Sequence, residues 1–194
     1  MKTMHSSERQ KEIVAAVFNL ISDHGIQELT IKKIAQVVGV SEPAIYRHFQ
    51  SKSDILSAVV DEMIAHRNAT FARVGGNAAA TSLASFFTVQ AMLFEDMPAL
   101  TIMLFPEDLF RNDAALLARI MDMMKETLGK IHGLLKAGID EGAFKPDLDR
   151  DAVALMLVGG FRLLVSSWRM APTTGRLREK TRRFIDGVWP LISR

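Results

Sequence analysis

Apolar residues recur at helical spacing along nearly the whole chain, and no run alternates apolar with polar as a half-buried strand would. Ile13, Val14, Val17, Phe18 and Ile21 line one face of a first helix over about 7–24, with Gly25 placed as its stop. Thr30 caps a short second helix carrying Ile31, Ile34, Ala35 and Val38, which ends at Gly39. Ser41 caps a third, where Pro43 is tolerated because a first turn needs no intrahelical N–H donor, and Ile45 and Phe49 face inward. A fourth helix starts near Ser53 and continues through Ile64. Gly75-Gly76-Asn77 breaks the chain before a helix through Leu83, Phe87 and Phe94, and Pro98 and Pro106 bracket a short segment over 99–105. Long helices follow over about 113–139, closed by Gly142 and Pro146, and about 149–170, closed by Pro172. A last helix runs from Thr174 to Ile192. The pattern predicts an all-α fold of about nine helices, with no internal repeat and no low-complexity tract.

Composition narrows the chemistry. Hydrophobic residues make up 48% of the 194, enough for a sizeable core. Cysteine is absent, which excludes disulfides, thiolate nucleophiles and Cys-ligated zinc. The first residues carry no apolar signal-like region, and the longest apolar stretch, 152–165, is interrupted by Arg162. The expectation is a soluble cytoplasmic protein with no membrane partner. The formal charge is +2, and residues 1–55 hold seven basic side chains against six acidic ones. Any case for DNA therefore rests on where particular side chains point.

Between residues 31 and 50 the spacing Ala35-x3-Gly39-x5-Ile45 stands out. Two short helices that cross steeply need a small residue at the approach, a positive φ in the turn and an apolar plug from the second helix. Ala35, Gly39 and Ile45 supply these in turn. Such a helix-turn-helix puts the second helix into the major groove, N-terminus first. Helices of about eight residues are expected here, supported by the first helix.

Leu29 to Lys52, and above all Gly39-Val40-Ser41, Ile45-Tyr46-Arg47-His48-Phe49 and Ser51-Lys52-Ser53, resembles the signature of the tetracycline-repressor (TetR) family. The resemblance implies a one-component transcriptional regulator: a DNA-reading domain over 1–52 and a helical effector-binding and dimerisation domain over 53–194. It implies phosphate contacts from Thr30, Tyr46, His48 and Lys52, all hydrogen-bond donors suited to anionic oxygens. Lys32, Glu42, Pro43 and Ala44 would face base edges, with Ser41 at the same turn and Arg47 serving either class. For Glu42, a purely electrostatic role at the helix N-terminus is equally open. His48 and Lys52 are read as surface residues drawn to DNA by the motif. Tyr46 is turned roughly 100° from the inward Ile45.

From about 75 to 170 the chain is rich in Phe and Met, among them Phe105 and Phe110, and such side chains either fill a core or line an adaptable pocket. Phe86, Phe87, Gln90, Met121, Met124, Phe161 and Arg162 are the candidate ligand contacts. Arg162 lies amid apolar neighbours, so it needs a carboxylate from the protein or from a ligand. His132 is a further polar residue on an apolar stretch. Gly159-Gly160 would each cost ~1 kcal/mol relative to alanine inside a helix, a cost that close helix approach at a subunit interface justifies. By the resemblance the last two helices pack against a second subunit. The basic cluster Arg176, Arg178, Lys180, Arg182 and Arg183 reads as a solvated face.

No enzyme signature emerges. Glu62 and His66 are four apart, not the Glu-x-x-His of di-iron bundles, and no phosphate loop or nucleophile elbow is present. No cofactor and no metal is expected. The expected partners are pseudo-palindromic operator DNA, a second copy of the chain and a small apolar or amphiphilic effector that releases the DNA. The alternative is a ligand-independent DNA-organising or cell-division factor of the same fold, answering to protein partners.

Overall fold

The computed structural model describes residues 2–25, 28–104, 113–171 and 175–194, without the side chains of 2–7 and 102–104. Phe105, Pro106, Phe110, Pro172 and Thr174 lie outside the described residues, as does the side chain of Met103. The elements are α1 (Lys2–His24), α2 (Ile31–Val38), α3 (Glu42–Tyr46), α4 (Lys52–Val74), α5 (Ala79–Asp96), a 3₁₀ segment (Pro98–Leu104), α6 (Ala114–Asp140), α7 (Arg150–Met170) and α8 (Leu177–Ile192). The described residues thus hold eight α-helices where about nine were expected, because the stretch after Pro98 winds as a 3₁₀ segment. Their only extended pairing is an isolated bridge, Phe144 to Ser193.

The helix ends follow the local chemistry. Asp113 caps α6, its Oδ1 accepting from Leu116 N at 3.1 Å, and Asp149 caps α7 through Ala152 N at 3.0 Å. Ser51 and Asp54 close a reciprocal capping box at the start of α4. Ser51 Oγ accepts from Asp54 N at 3.1 Å, and Asp54 Oδ2 accepts from the backbone N–H groups of Ser51 and Gln50 at 3.0 Å each. This moves the start of α4 one residue ahead of the expected Ser53, placing Lys52 in its first turn.

The chain divides into two compact units, one of Met1–Ala65 with Pro98–Ile120, the other of His66–Met97 with Met121–Arg194. In the first, α1 packs on α2 and on the 3₁₀ segment, and α2 packs on α3. Its core holds Ile13, Val17, Ile34, Ile45, Ile55, Val59 and Met63, all 1% exposed or less. Asp113 also accepts from Ser53 Oγ at 2.9 Å, while Arg119 bonds Ser57 Oγ at 2.8 Å and pairs with Asp61. These contacts hold the N-terminal half of α4 to the start of α6.

In the second unit α8 packs against α5 and α7. Glu95 accepts from Arg178 N at 3.0 Å and pairs with its guanidinium. Phe144 lies against Trp189 and fills a space that a Cβ on Gly138 would occupy, 2.3 Å from the ring. Gly160 plays the same part for Phe184, whose ring would sit 2.6 Å from an added Cβ. The close approach expected of Gly160 at a subunit interface is therefore made within the chain, by Phe184 of α8. Gly159 is exposed and a Cβ there would meet nothing.

By length and composition α7 is the one helix among the described residues able to cross a membrane, with mean hydropathy 1.4 over 18 residues. A third of that window is buried inside the fold. Its outward apolar residues, Leu155, Leu163 and Met170, fall with Gly159 on one stripe.

Two substitutions test this packing by chemical denaturation. Gly160→Ala should cost about 1–3 kcal/mol through overpacking against Phe184, and Phe184→Ala in the same chain should relieve most of the added strain. Asp54→Ala should lose about 0.5–2 kcal/mol and speed amide exchange at the first turn of α4. A neutral Gly160→Ala would show that the two helices do not approach as described.

Candidate nucleic-acid interface

The α2–turn–α3 segment is built by cap chemistry at both ends of α2. Thr30 Oγ1 accepts from Lys33 N at 3.2 Å, fixing where α2 begins. At the other end Gly39 adopts φ 74°, and the N–H groups of Val40 and Gly39 reach the carbonyls of Ala35 (2.9 Å) and Gln36 (3.3 Å). That Schellman closure turns the chain within three residues, and the positive φ makes glycine the residue suited to it. Ser41 occupies the cap position of α3 in extended conformation without a side-chain hydrogen bond, and its carbonyl accepts from Ala44 and Ile45. The helix is five residues long, shorter than the eight expected, and His48 N and Phe49 N then close on the Ile45 carbonyl.

Ile45 is fully buried, with Ile34, Ala35 and Phe49 at 0, 4 and 7% exposure, so the plug expected from the spacing is in place. The opposite side is left to solvent: Ser41, Glu42, Pro43, Tyr46 and Arg47 are exposed and Ala44 half-buried. Tyr46 is 51% exposed, turned away from the core as its position relative to Ile45 requires. Thr30, Lys32 and Lys52 are exposed as well. Lys33 is half-buried and pairs with Glu28, whose carboxyl the Lys33 hydrogen bond holds below its ordinary range. Lys32 and Lys52 have no acidic partner among the described residues. His48 is half-buried with Nδ1 shielded and without a hydrogen-bond partner, leaving Nε2 as the nitrogen available to an outside group.

Three contributors escaped the reading of the sequence. Gln36, one turn beyond Lys32, is exposed on the same face of α2, and its i,i+4 spacing was enough to find it. Gln10 of α1 donates from Nε2 to the His48 carbonyl at 3.0 Å, a long-range contact with no local signal. Asp113 fastens Ser53, next to Lys52, while capping α6. Its carboxyl is held below the ordinary range by the Leu116 N–H first and the Ser53 hydroxyl second.

The candidate ligand residues separate into two sets. Phe86, Phe87 and Phe161 are buried together, Phe86–Phe87 and Phe87–Phe161 packing edge-on with centroids 5.1 and 5.3 Å apart. Gln90 is 6% exposed with its Oε1 buried and without a partner among the described residues. Met121, by contrast, is 57% exposed. The inward register of α6 runs through Ile120, Met123 and Ile131, which leaves Met121 off the buried face. Met124 and Arg162 are half-buried, and Arg162 is not without a partner. His132 Nε2 pairs with Asp151 at 2.8 Å. Among the described residues no cluster of His, Cys, Asp or Glu is arranged for a metal.

Comparison with known proteins agrees with this geometry. Residues 13–59 match the family model described as bacterial regulatory proteins, tetR family, and residues 78–185 match that of the YsiA-like protein, C-terminal region. Nucleoid occlusion factor SlmA of Mannheimia succiniciproducens is 28% identical over 94% of this chain and 87% of its own length. SlmA of Haemophilus ducreyi is 39% identical over 57 residues, and the match spans only 28% of that relative. The fold is shared with FadR of Bacillus subtilis, solved with stearoyl-CoA, at a TM-score of 0.77 and 24% identity over 92% of this chain and 97% of that one. The chain belongs to the tetR family of bacterial regulatory proteins, with a C-terminal region of the YsiA-like kind.

Proposed function

We propose that this regulator binds a pseudo-palindromic operator as a homodimer in the cytoplasm and represses until a small apolar or amphiphilic ligand releases it. The observation that carries the DNA reading is the split of α2–α3 into a sealed inner face around Ile45 and an exposed outer face bearing Tyr46, Arg47 and, on α2, Lys32. Thr30, Tyr46, Lys52 and His48 through Nε2 are assigned to phosphates. Lys32, Ser41, Glu42, Pro43 and Ala44 are assigned to base edges, with Arg47 at the boundary. The pairing of Lys33 with Glu28 supports Lys32 as the lysine that reads DNA.

The apolar stripe of α7 through Leu155, Gly159 and Leu163, together with Leu191 and Gly187 on α8, is proposed as the surface that meets the second subunit. Two recognition helices must reach successive major grooves about 34–36 Å apart, so dimerisation sets operator geometry. The domain boundary at residue 52 is proposed as a functional one: the reading head ends where α4 begins. Residues of α4 fall in both compact units, so a ligand that prefers one placement of α4 changes the separation of two heads. It shifts that equilibrium only by its differential affinity, ~5.5 kcal/mol for a near-complete switch. The FadR–stearoyl-CoA structure supports a ligand of this kind. The SlmA relatives keep the ligand-independent alternative in view, and operator-type sites scattered across the chromosome would favour it.

Lys52→Ala should weaken binding to all DNA alike and flatten the slope of log K against log salt by about two for a dimer. An unchanged affinity and slope would remove Lys52 from the phosphate set. Leu163→Glu should sediment as a folded monomer at micromolar concentration with reduced operator affinity, because Leu163 is 68% exposed within the chain. Persistent dimer would place the interface elsewhere. Calorimetric titration of apolar and acyl compounds with and without operator should give unequal ligand affinities, by the same factor that the ligand weakens DNA binding. Equal affinities would rule out induction by that compound.

A further inference from the structure

Within the second unit an open cleft of about 250 Å³ lies among the end of α4, α5 and the C-terminal half of α6. Phe71, Val74 and Leu134 supply apolar wall, and Gly133 leaves the α6 side bare, since a Cβ there would meet nothing within 4 Å. Ser82 lines the cleft but donates its hydroxyl to the Val74 carbonyl at 2.8 Å, so that proton is already engaged. The one charged lining residue is Lys130, whose Nζ stands 4.7 Å from the centroid of the Phe71 ring. Phe71 in turn stacks on Phe86 with centroids 4.5 Å apart, which joins the cleft to the buried Phe86–Phe87–Phe161 cluster.

We propose that this cleft binds the head of a carboxylate-bearing amphiphile, its anion paired with Lys130 and its first methylenes lying on Phe71, Val74 and Leu134. The inference rests on the effector reading above and names the ligand class. A single ammonium over an aromatic face already has its π-side partner, and a carboxylate can approach from the solvent side without displacing it. One point charge matches a monoanion. A phosphate dianion would be left half-compensated, since no second cation lines the site. The volume lies below the roughly 300–1,000 Å³ of pockets that enclose a whole drug-sized ligand, so the cleft takes the head and start of a chain.

Decanoate and 1-decanol, below their aggregation limits at pH 7.5, are the probes, titrated by calorimetry into the full chain, Lys130→Gln and Gly133→Leu. The full chain should bind decanoate about threefold to fivefold more tightly than decanol, the scale of an exposed ion pair, with the difference shrinking as salt rises. Lys130→Gln should erase that difference and leave decanol unchanged. Gly133→Leu fills the cleft from an open helical position, where leucine is also the better helix former, so it should lose both ligands while melting no lower than the parent. Equal binding of the two probes by the full chain would overturn the assignment, as would a Lys130→Gln chain that still prefers decanoate. Operator release separates the two readings. Decanoate that binds with these dependences but leaves operator affinity intact would uphold the cleft and refute induction through it. A carboxylate-bearing inducer to which both variants respond like the parent would uphold induction and refute the cleft.

Discussion

Everything proposed for DNA depends on one packing constraint, the burial of Ile45. A five-residue helix has too few internal hydrogen bonds to hold itself, so α3 owes its existence to that side chain and to Phe49 one turn later. Full burial of an isoleucine stabilises by roughly 1.5–3 kcal/mol, which offsets part of the roughly 1–2 kcal/mol per residue that ordering the backbone of so short a segment costs. Gly39 makes the plug possible by reversing the chain in a left-handed turn, and Gln10 ties the end of the segment to α1. Once Ile45 is inside, helical geometry leaves no choice about Tyr46: it faces out. The reading surface is thus the complement of a core contact.

The second unit is governed by two close approaches of aromatic rings to helix backbones. Phe144 over Gly138 and Phe184 against Gly160 let α6, its following loop, α7 and α8 pack closer than any side chain at those glycines would permit. The Phe86–Phe87–Phe161 cluster fills part of the interior, and Gln90 Oε1 is buried without a partner among the described residues, as is Thr181 Oγ1. A buried acceptor without a donor costs about 1–3 kcal/mol, which is the kind of local deficit that a ligand or an ordered water relieves.

Legibility from sequence followed the range of the interactions. Thr30, Gly39, Ile45 and the alternation of inner and outer residues on α3 were readable because caps, turn conformation and helical phase are local. The capping box of Ser51 and Asp54 was equally local and could have been read from the Ser-x-x-Asp spacing, which would have set the start of α4 correctly. That Met123 faces inward and Met121 outward was not legible, because on a 27-residue helix nearby methionines differ only in phase and the apolar run does not declare which faces inward. Gly160 was read as a mark of close packing, and it is one. That the packing partner is Phe184 of the same chain is a tertiary fact no local pattern carries. The Gln10–His48 and Ser53–Asp113 bonds lie beyond sequence reasoning for the same reason.

The central claim, that the outer face of α2 and α3 reads two successive major grooves, is tested most directly by footprinting on a duplex selected by the protein from random DNA. The account predicts two patches of guanine N7 protection on one side of the duplex, their centres about 10–10.5 base pairs apart or a multiple of it. Protection that is continuous, confined to the minor groove or absent from any selected sequence would contradict it.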